Sequence, residues 1–225
     1  NQTIGAITSA ADGTYVIPNV PAGNYTIEIA GSGYVTTYET VISAGANSAN
    51  QNILVSPSLA ADAVRIVLSW NATPRDVDSH LAYGVGGTTR KNQVVWNDKC
   101  RNPGVANAVT KSPAQCGSED LTLDIDVVSG YGPETVTMKG TVWTSPVVTR
   151  LGYSLYNWSN EAALSTSGST VKVYKATGLV RTYNSGPGQA SRWWQIFCFD
   201  KATKNISDVG QPGCNASDFF NAAQN

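Results

Sequence analysis

The sequence predicts an all-β chain folded as two tandem antiparallel β-sandwiches. Three observations carry the prediction. Apolar residues alternate with polar ones at a period of two along many short runs. Gly, Ser, Thr and Asn separate those runs, which suits turns. Helix formers are scarce, with 1 Met and charged residues at 14% of the chain, against roughly a quarter in an average soluble domain.

Residues 1–57 read as the smaller domain. Tyr15, Ile17 and Val20 approach the turn at Pro21 to Asn24, and Tyr25, Ile27 and Ile29 leave it with Thr26 and Glu28 facing outward. Gly31 to Tyr34 mark a second turn, Val35 to Ile42 a further strand, and Ile53 to Val55 the last one. Ser56-Pro57-Ser58 reads as a linker, short enough to hold the domains nearly rigidly.

Residues 58–225 read as the larger domain. Val64, Ile66, Leu68 and Trp70 alternate with Arg65, Val67 and Ser69 until Asn71 to Pro74 break the pattern. The alternation then resumes with Asp76, Asp78 and His80 on one face and Val77 and Leu81 on the other. Leu121, Leu123, Ile125 and Val127 point inward along a second strand, and Thr122, Asp124 and Asp126 point outward. Val94 to Trp96, Thr135 to Trp143, Tyr153 to Trp158, Thr170 to Tyr174, Leu179 to Tyr183 and Trp193 to Phe199 supply the remaining strands.

Two stretches carry family resemblances. The run from Asp12-Gly-Thr-Tyr through Pro21-Ala-Gly-Asn24 to Ile29, followed by Gly33-Tyr34, resembles carboxypeptidase-regulatory-like and Cna-B-type modules. The resemblance implies an Ig-like or transthyretin-like sandwich for residues 1–57. Such modules begin one or two strands earlier, so this one is expected to lack its first strand or strands. A sandwich short of a strand leaves an apolar groove and unpaired backbone groups. A strand lent head-to-tail by a neighbouring copy would fill both and propagate a filament. The expectation is therefore a structural subunit of an extracellular fibre or surface assembly, with itself as partner. The competing expectation is a monomeric secreted binding or adhesin module, dependent on Ca²⁺ and taking glycans as partners. In the larger domain, Trp70, Pro74-Arg-Asp-Val-Asp-Ser-His-Leu81, Leu123-Asp-Ile-Asp126, Gly130-Tyr-Gly-Pro-Glu-Thr135 and Val171-Lys-Val-Tyr174 resemble an uncharacterised secreted bacterial β-domain family. That family often accompanies von Willebrand factor A modules and brings no activity to carry over.

Composition narrows the partners. A net charge of −1 gives no electrostatic case for nucleic acid or an anionic membrane surface. No apolar run approaches the roughly 20 residues of a membrane span. Cys100 and Cys116, and Cys198 and Cys214, are each 16 positions apart, which predicts two local disulfides and an extracellular or cell-surface setting. Sequons at Asn1, Asn24, Asn71, Asn157, Asn205 and Asn215 mark candidate glycosylation sites.

The chemistry-bearing residues converge on two strands. If these lay side by side, Asp76, Asp78, His80, Asp124 and Asp126, with Glu134 as a further member, would crowd like charges into one patch. A bound cation would relieve that crowding, and hard oxygen ligands favour Ca²⁺. A solvated acidic face, or one neutralised by Arg75, Arg90 and turn amides, would serve equally. Asp124 and Asp126 are spaced like a catalytic carboxylate pair, yet nothing else supports hydrolysis, and no enzyme is expected. Ser79, His80 and Asp78 cannot form a triad, because neighbours on a strand face opposite sides. Trp96, Trp143, Trp158, Trp193 and Trp194 offer rings for sugar stacking, although strand tryptophans more often pack a core.

Overall fold

A computed structural model of the chain describes residues 3–49, 51–85, 91–103, 116 and 119–219. The chain is all-β with antiparallel pairing, and it divides into two compact units, Asn1–Pro57 and Ser58–Asn225.

In the smaller unit β1 (Gly23–Ile29) pairs with β3 (Thr37–Ser43), with Tyr25 opposite Val41 and Ile27 opposite Glu39. A shorter ladder joins β2 (Tyr34–Val35) to β4 (Ser56–Pro57). The segment read as a linker is thus partly a strand, closed onto β2 by the unit's own chain. The strand expected over Tyr15 to Val20 does not form; the polypeptide there takes no strand partner. Both ladders are two-stranded, so the sandwich expected for this unit is not built from them.

The larger unit holds the main core. Its strands are β5 (Val64–Ser69), β6 (Val77–Val85), β7 (Lys91–Val94), β8 (Cys100–Arg101), β9 (Leu121–Ile125), β10 (Glu134–Met138), β11 (Val148–Asn157), β12 (Thr170–Lys175), β13 (Gly178–Asn184), β14 (Trp193–Phe199) and β15 (Ile206–Asp208). One sheet runs β13-β12-β5-β10-β9-β8, and the other runs β15-β14-β11-β6-β7. Ile66, Leu68, Leu123, Val136 and Val173 of the first sheet share one buried cluster with Leu81, Leu151, Tyr153, Leu155 and Phe197 of the second. The alternation legible in each strand is what supplies those inward faces.

Two expectations change here. Thr135 to Trp143 is not one strand: β10 stops at Met138, and a helical turn at Thr141–Thr144 buries Val142 and Trp143. The Trp143 indole N–H then donates to the Asp62 carbonyl at 2.7 Å. The two acidic stretches also do not lie side by side, because β6 and β9 belong to different sheets. The break at Asn71 to Pro74 carries the chain from one sheet to the other. Both disulfides are present, Cys100–Cys116 and Cys198–Cys214.

Candidate metal centre

Glu134 opens β10 and is fully buried, an expensive place for a carboxylate. Its position depends on the loop before it. Gly130 and Gly132 take φ of +86° and +74°, the left-handed region where glycine meets no penalty. A Cβ on Gly132 would stand 2.8 Å from the Trp70 ring. The loop is stitched to the crossing segment by Trp70 N–H to Tyr131 O at 3.2 Å and Gly130 N–H to Arg75 O at 2.6 Å. These bonds place Glu134 under the start of β6, where its carboxylate accepts the Ser79 N–H at 2.7 Å and the Val127 N–H at 3.4 Å. The Ser79 hydroxyl in turn bonds the Tyr153 hydroxyl at 2.8 Å.

Three carboxylates from three strand ends meet at this point. One oxygen each from Asp78, Asp126 and Glu134 lie within 4.8 Å of one another. Asp76 stands next to them, and a cavity of about 100 Å³ is lined by Asp76, Asp78, Asp126, Trp96, Val128 and Trp158. Asp78 is only 3% exposed and Asp76 only 7%. Asp78 Oδ2, Asp76 Oδ1 and Asp126 Oδ1 are all buried with no protein hydrogen-bond partner. The neighbouring cation is Lys99, whose Nζ lies 2.7 Å from Asp126 Oδ2.

The electrostatics follow from that crowding. Burial, reinforced by the charges of Asp76 and Asp126 and opposed by Lys99, pushes the Asp78 carboxyl up to about 8. Burial raises Glu134 well above the usual carboxylate range, and Asp78 adds to it. Asp76 is also raised, by burial first and then by Asp126. Without a cation, Asp78 therefore favours its protonated form at neutral pH.

Not every expected ligand arrives. Asp124 lies on an exposed part of β9 and accepts the hydroxyls of Thr122 at 2.6 Å and Thr137 at 2.5 Å. His80 points elsewhere: its Nδ1 is 2.9 Å from Gln93 Oε1, and its ring packs on Trp193 and Tyr156. Burial holds that imidazole down to about 4, so it is neutral. Arg75 makes no ion pair with the cluster, since its backbone and side chain both engage Glu161, although its charge partly offsets the rise at Asp76. Arg90 lies outside the described residues. Lys99 and Val128 were not anticipated, since neither carries a spacing signal; the Lys99 carbonyl accepts the Leu123 N–H at 2.6 Å, which ties it to β9.

The other expected sites disperse. Trp143 and Trp194 are buried in the core, and Trp193 packs on Tyr156 and His80. Trp96 and Trp158 are 40% and 49% exposed and touch each other. Asn24, Asn71, Asn205 and Asn215 are exposed, and Asn1 lies outside the described residues. Asn157 is 1% exposed. Its amide is spent internally, donating to Ala162 O and accepting from Asn160 N–H.

No family model matches the chain, and no curated protein does. Solved structures do resemble it. One is described as the unknown-function protein SAV2460, at 12% identity and a TM-score of 0.47, covering 66% of this chain and 87% of the other. Another is SCO6318 from Streptomyces coelicolor A3(2), described as a homologue of the telluride resistance protein TerD. It is 14% identical with a TM-score of 0.44, and the match covers 66% of this chain and 86% of that one. Neither description is that of a fibre subunit or an adhesin. The expectation of an extracellular fibre built by strand donation is withdrawn on this finding, and the self-polymer with it.

Proposed function

We propose that the larger unit is a divalent-cation binding module, with Ca²⁺ held by Asp78, Asp126 and Glu134. The observation that carries the reading is the convergence of Asp78, Asp126 and Glu134, one oxygen of each within 4.8 Å of the others, with a buried oxygen of Asp78 and one of Asp126 left without protein partners. Oxygens on opposite sides of a Ca²⁺ ion are about 5 Å apart, so such a set can share one ion. The donors are hard oxygens and His80 is turned away, which favours Ca²⁺ over a transition metal. Asp76 supplies a further carboxylate at the cavity wall, and solvent would complete the six to eight ligands that Ca²⁺ takes. The ion would have to compete with Lys99 for Asp126.

The role assigned is binding, not catalysis. Asp124 is tied to threonine hydroxyls and Asp126 to Lys99, so the pair spaced for hydrolysis does not act on a common point. The two disulfides support an oxidising, extracellular setting. The test is thermal unfolding of the full chain at pH 8 in EDTA and in excess Ca²⁺. Ca²⁺ at 100 times its dissociation constant should stabilise by about 2.7 kcal/mol. Identical unfolding in EDTA and in millimolar Ca²⁺ would remove the proposal.

A further inference from the structure

The mouth of the acidic cavity differs in character from its floor. Asp78 and Asp126 line the floor, with Glu134 close behind them. The walls that face solvent are Trp96, Trp158 and Val128, the last 58% exposed. The two indole rings are 5.5 Å apart between centroids and tilted by 58°, which makes an open corner instead of a stack. Tyr156 meets Trp158 at 73° and 6.0 Å, continuing the row of steeply crossed rings. One ring of that row already carries a cation, since the Arg192 guanidinium carbon lies 4.7 Å from the Tyr156 centroid.

Such a mouth selects its ligand by two criteria. The buried, unpartnered oxygen of Asp76 seeks positive charge, and that of Asp78 supplies a second when an incoming cation displaces its proton. Exposed indole faces and a valine attract methyl groups and the positive side of a quadrupole interaction. Phosphates and carboxylates fail the first criterion. A bare metal ion leaves the second unused. An alkylated ammonium group satisfies both.

We propose that Trp96, Trp158, Val128 and Asp76 form a binding site for an alkylammonium group, as carried by choline or by an N-methylated lysine side chain. The methyls would lie in the corner between the two indoles, with the charge directed at Asp76 and Asp78. The site stands on its own geometry and does not require Ca²⁺. Because both cations draw on Asp78, they should weaken each other's binding.

Calorimetry on the full chain tests this in Ca²⁺-free buffer. The probes are choline, Nα-acetyl-Nε-trimethyl-lysine methylamide, and the neutral choline isostere 3,3-dimethyl-1-butanol. Choline or the lysine derivative should bind saturably and the neutral isostere should not; whichever charged probe is tighter separates a small molecule from a peptide as the source. Trp96→Ala and Trp158→Ala should each weaken binding by about tenfold, and Asp76→Asn should weaken it as well. Both tryptophans are close to half exposed and lie outside the main core, so these variants should fold, which circular dichroism checks. Equal binding of the neutral isostere would reduce the mouth to an apolar patch and overturn the proposal. So would binding of the charged probes that neither tryptophan variant changes. Failure of both charged probes to bind would also overturn it. A parallel Ca²⁺ titration decides the metal reading separately, so either can fail while the other holds.

Discussion

Replacing Asp78 by asparagine should make the metal-free protein more stable, the reverse of what most buried substitutions do. The carboxyl sits at about 8 in the fold against an ordinary value of 3.8. Between those values the folded chain keeps a proton that the unfolded chain gives up, so stability falls as pH rises from about 4 to about 8. At 1.36 kcal/mol per pH unit, the cost at pH 7 is on the order of 4 kcal/mol. Asparagine keeps the shape, carries no proton to lose, and offers an amide to the unpartnered oxygens of Asp76 and Asp126. Half of the cost recovered, about 2 kcal/mol, would raise the melting temperature by roughly 4–8 °C for a unit of this size.

The assay is circular-dichroism melting of Asp78→Asn and the parent in EDTA at pH 5 and pH 8. The gain should be small at pH 5 and larger at pH 8. Glu134, raised in the same direction by burial and by Asp78, should be eased by the substitution and reinforce the trend. Excess Ca²⁺ should then stabilise the parent at pH 8 and leave the variant unmoved. A variant less stable than the parent at pH 8 in EDTA would refute the electrostatic account. Equal stabilisation of both by Ca²⁺ would refute Asp78 as a ligand.

Three further outcomes are expected. Gly132→Ala should cost at least about 2 kcal/mol in urea unfolding, since it forces a side chain into the left-handed region and against Trp70 and the Leu68 carbonyl. It should also weaken Ca²⁺ in calorimetry, because the displaced loop carries Glu134. The double variant Cys198→Ala, Cys214→Ala opens a bridge spanning 16 residues and should lower stability by about 3 kcal/mol in the same assay. His80, the 1 histidine of the chain, should titrate by NMR near 4. Its folded value is depressed, so it withdraws stability as pH falls from about 6.5 towards 4; a midpoint near 6.5 would mean the ring is solvated.

The strands of the larger unit were legible wherever one face was buried and one was wet. Val64 to Trp70 and Trp193 to Phe199 coincide closely with β5 and β14. The reading failed where burial comes from elsewhere. Val142 and Trp143 look like strand residues because they are apolar, yet they are buried on a helical turn after Gly140. In the smaller unit Tyr15, Ile17 and Val20 are apolar as a strand would need, but the segment finds no neighbour to pair with. Alternation reports a tendency; pairing needs a second strand, and that is a long-range fact.

The acidic site shows the same division. The periodicity put Asp76, Asp78 and His80 on one face, and it could not say that β6 belongs to another sheet than β9. Crossing between sheets brought Asp78 to Asp126 and Glu134 end to end. It left His80 further along β6 beside Gln93, and Asp124 on the exposed flank. A side-by-side pairing would have spread the carboxylates along a solvated ladder, where water screens them and no ion is needed. Meeting at the closed end of two sheets buries them instead, and there like charges are tolerable only with protons or a cation between them. The same topology puts Trp96 and Trp158, from segments far apart in sequence, at the mouth of one cavity. The binding chemistry therefore resides in how the two sheets are joined, at the Asn71 to Pro74 crossing and the Gly130 to Pro133 loop, more than in any single strand.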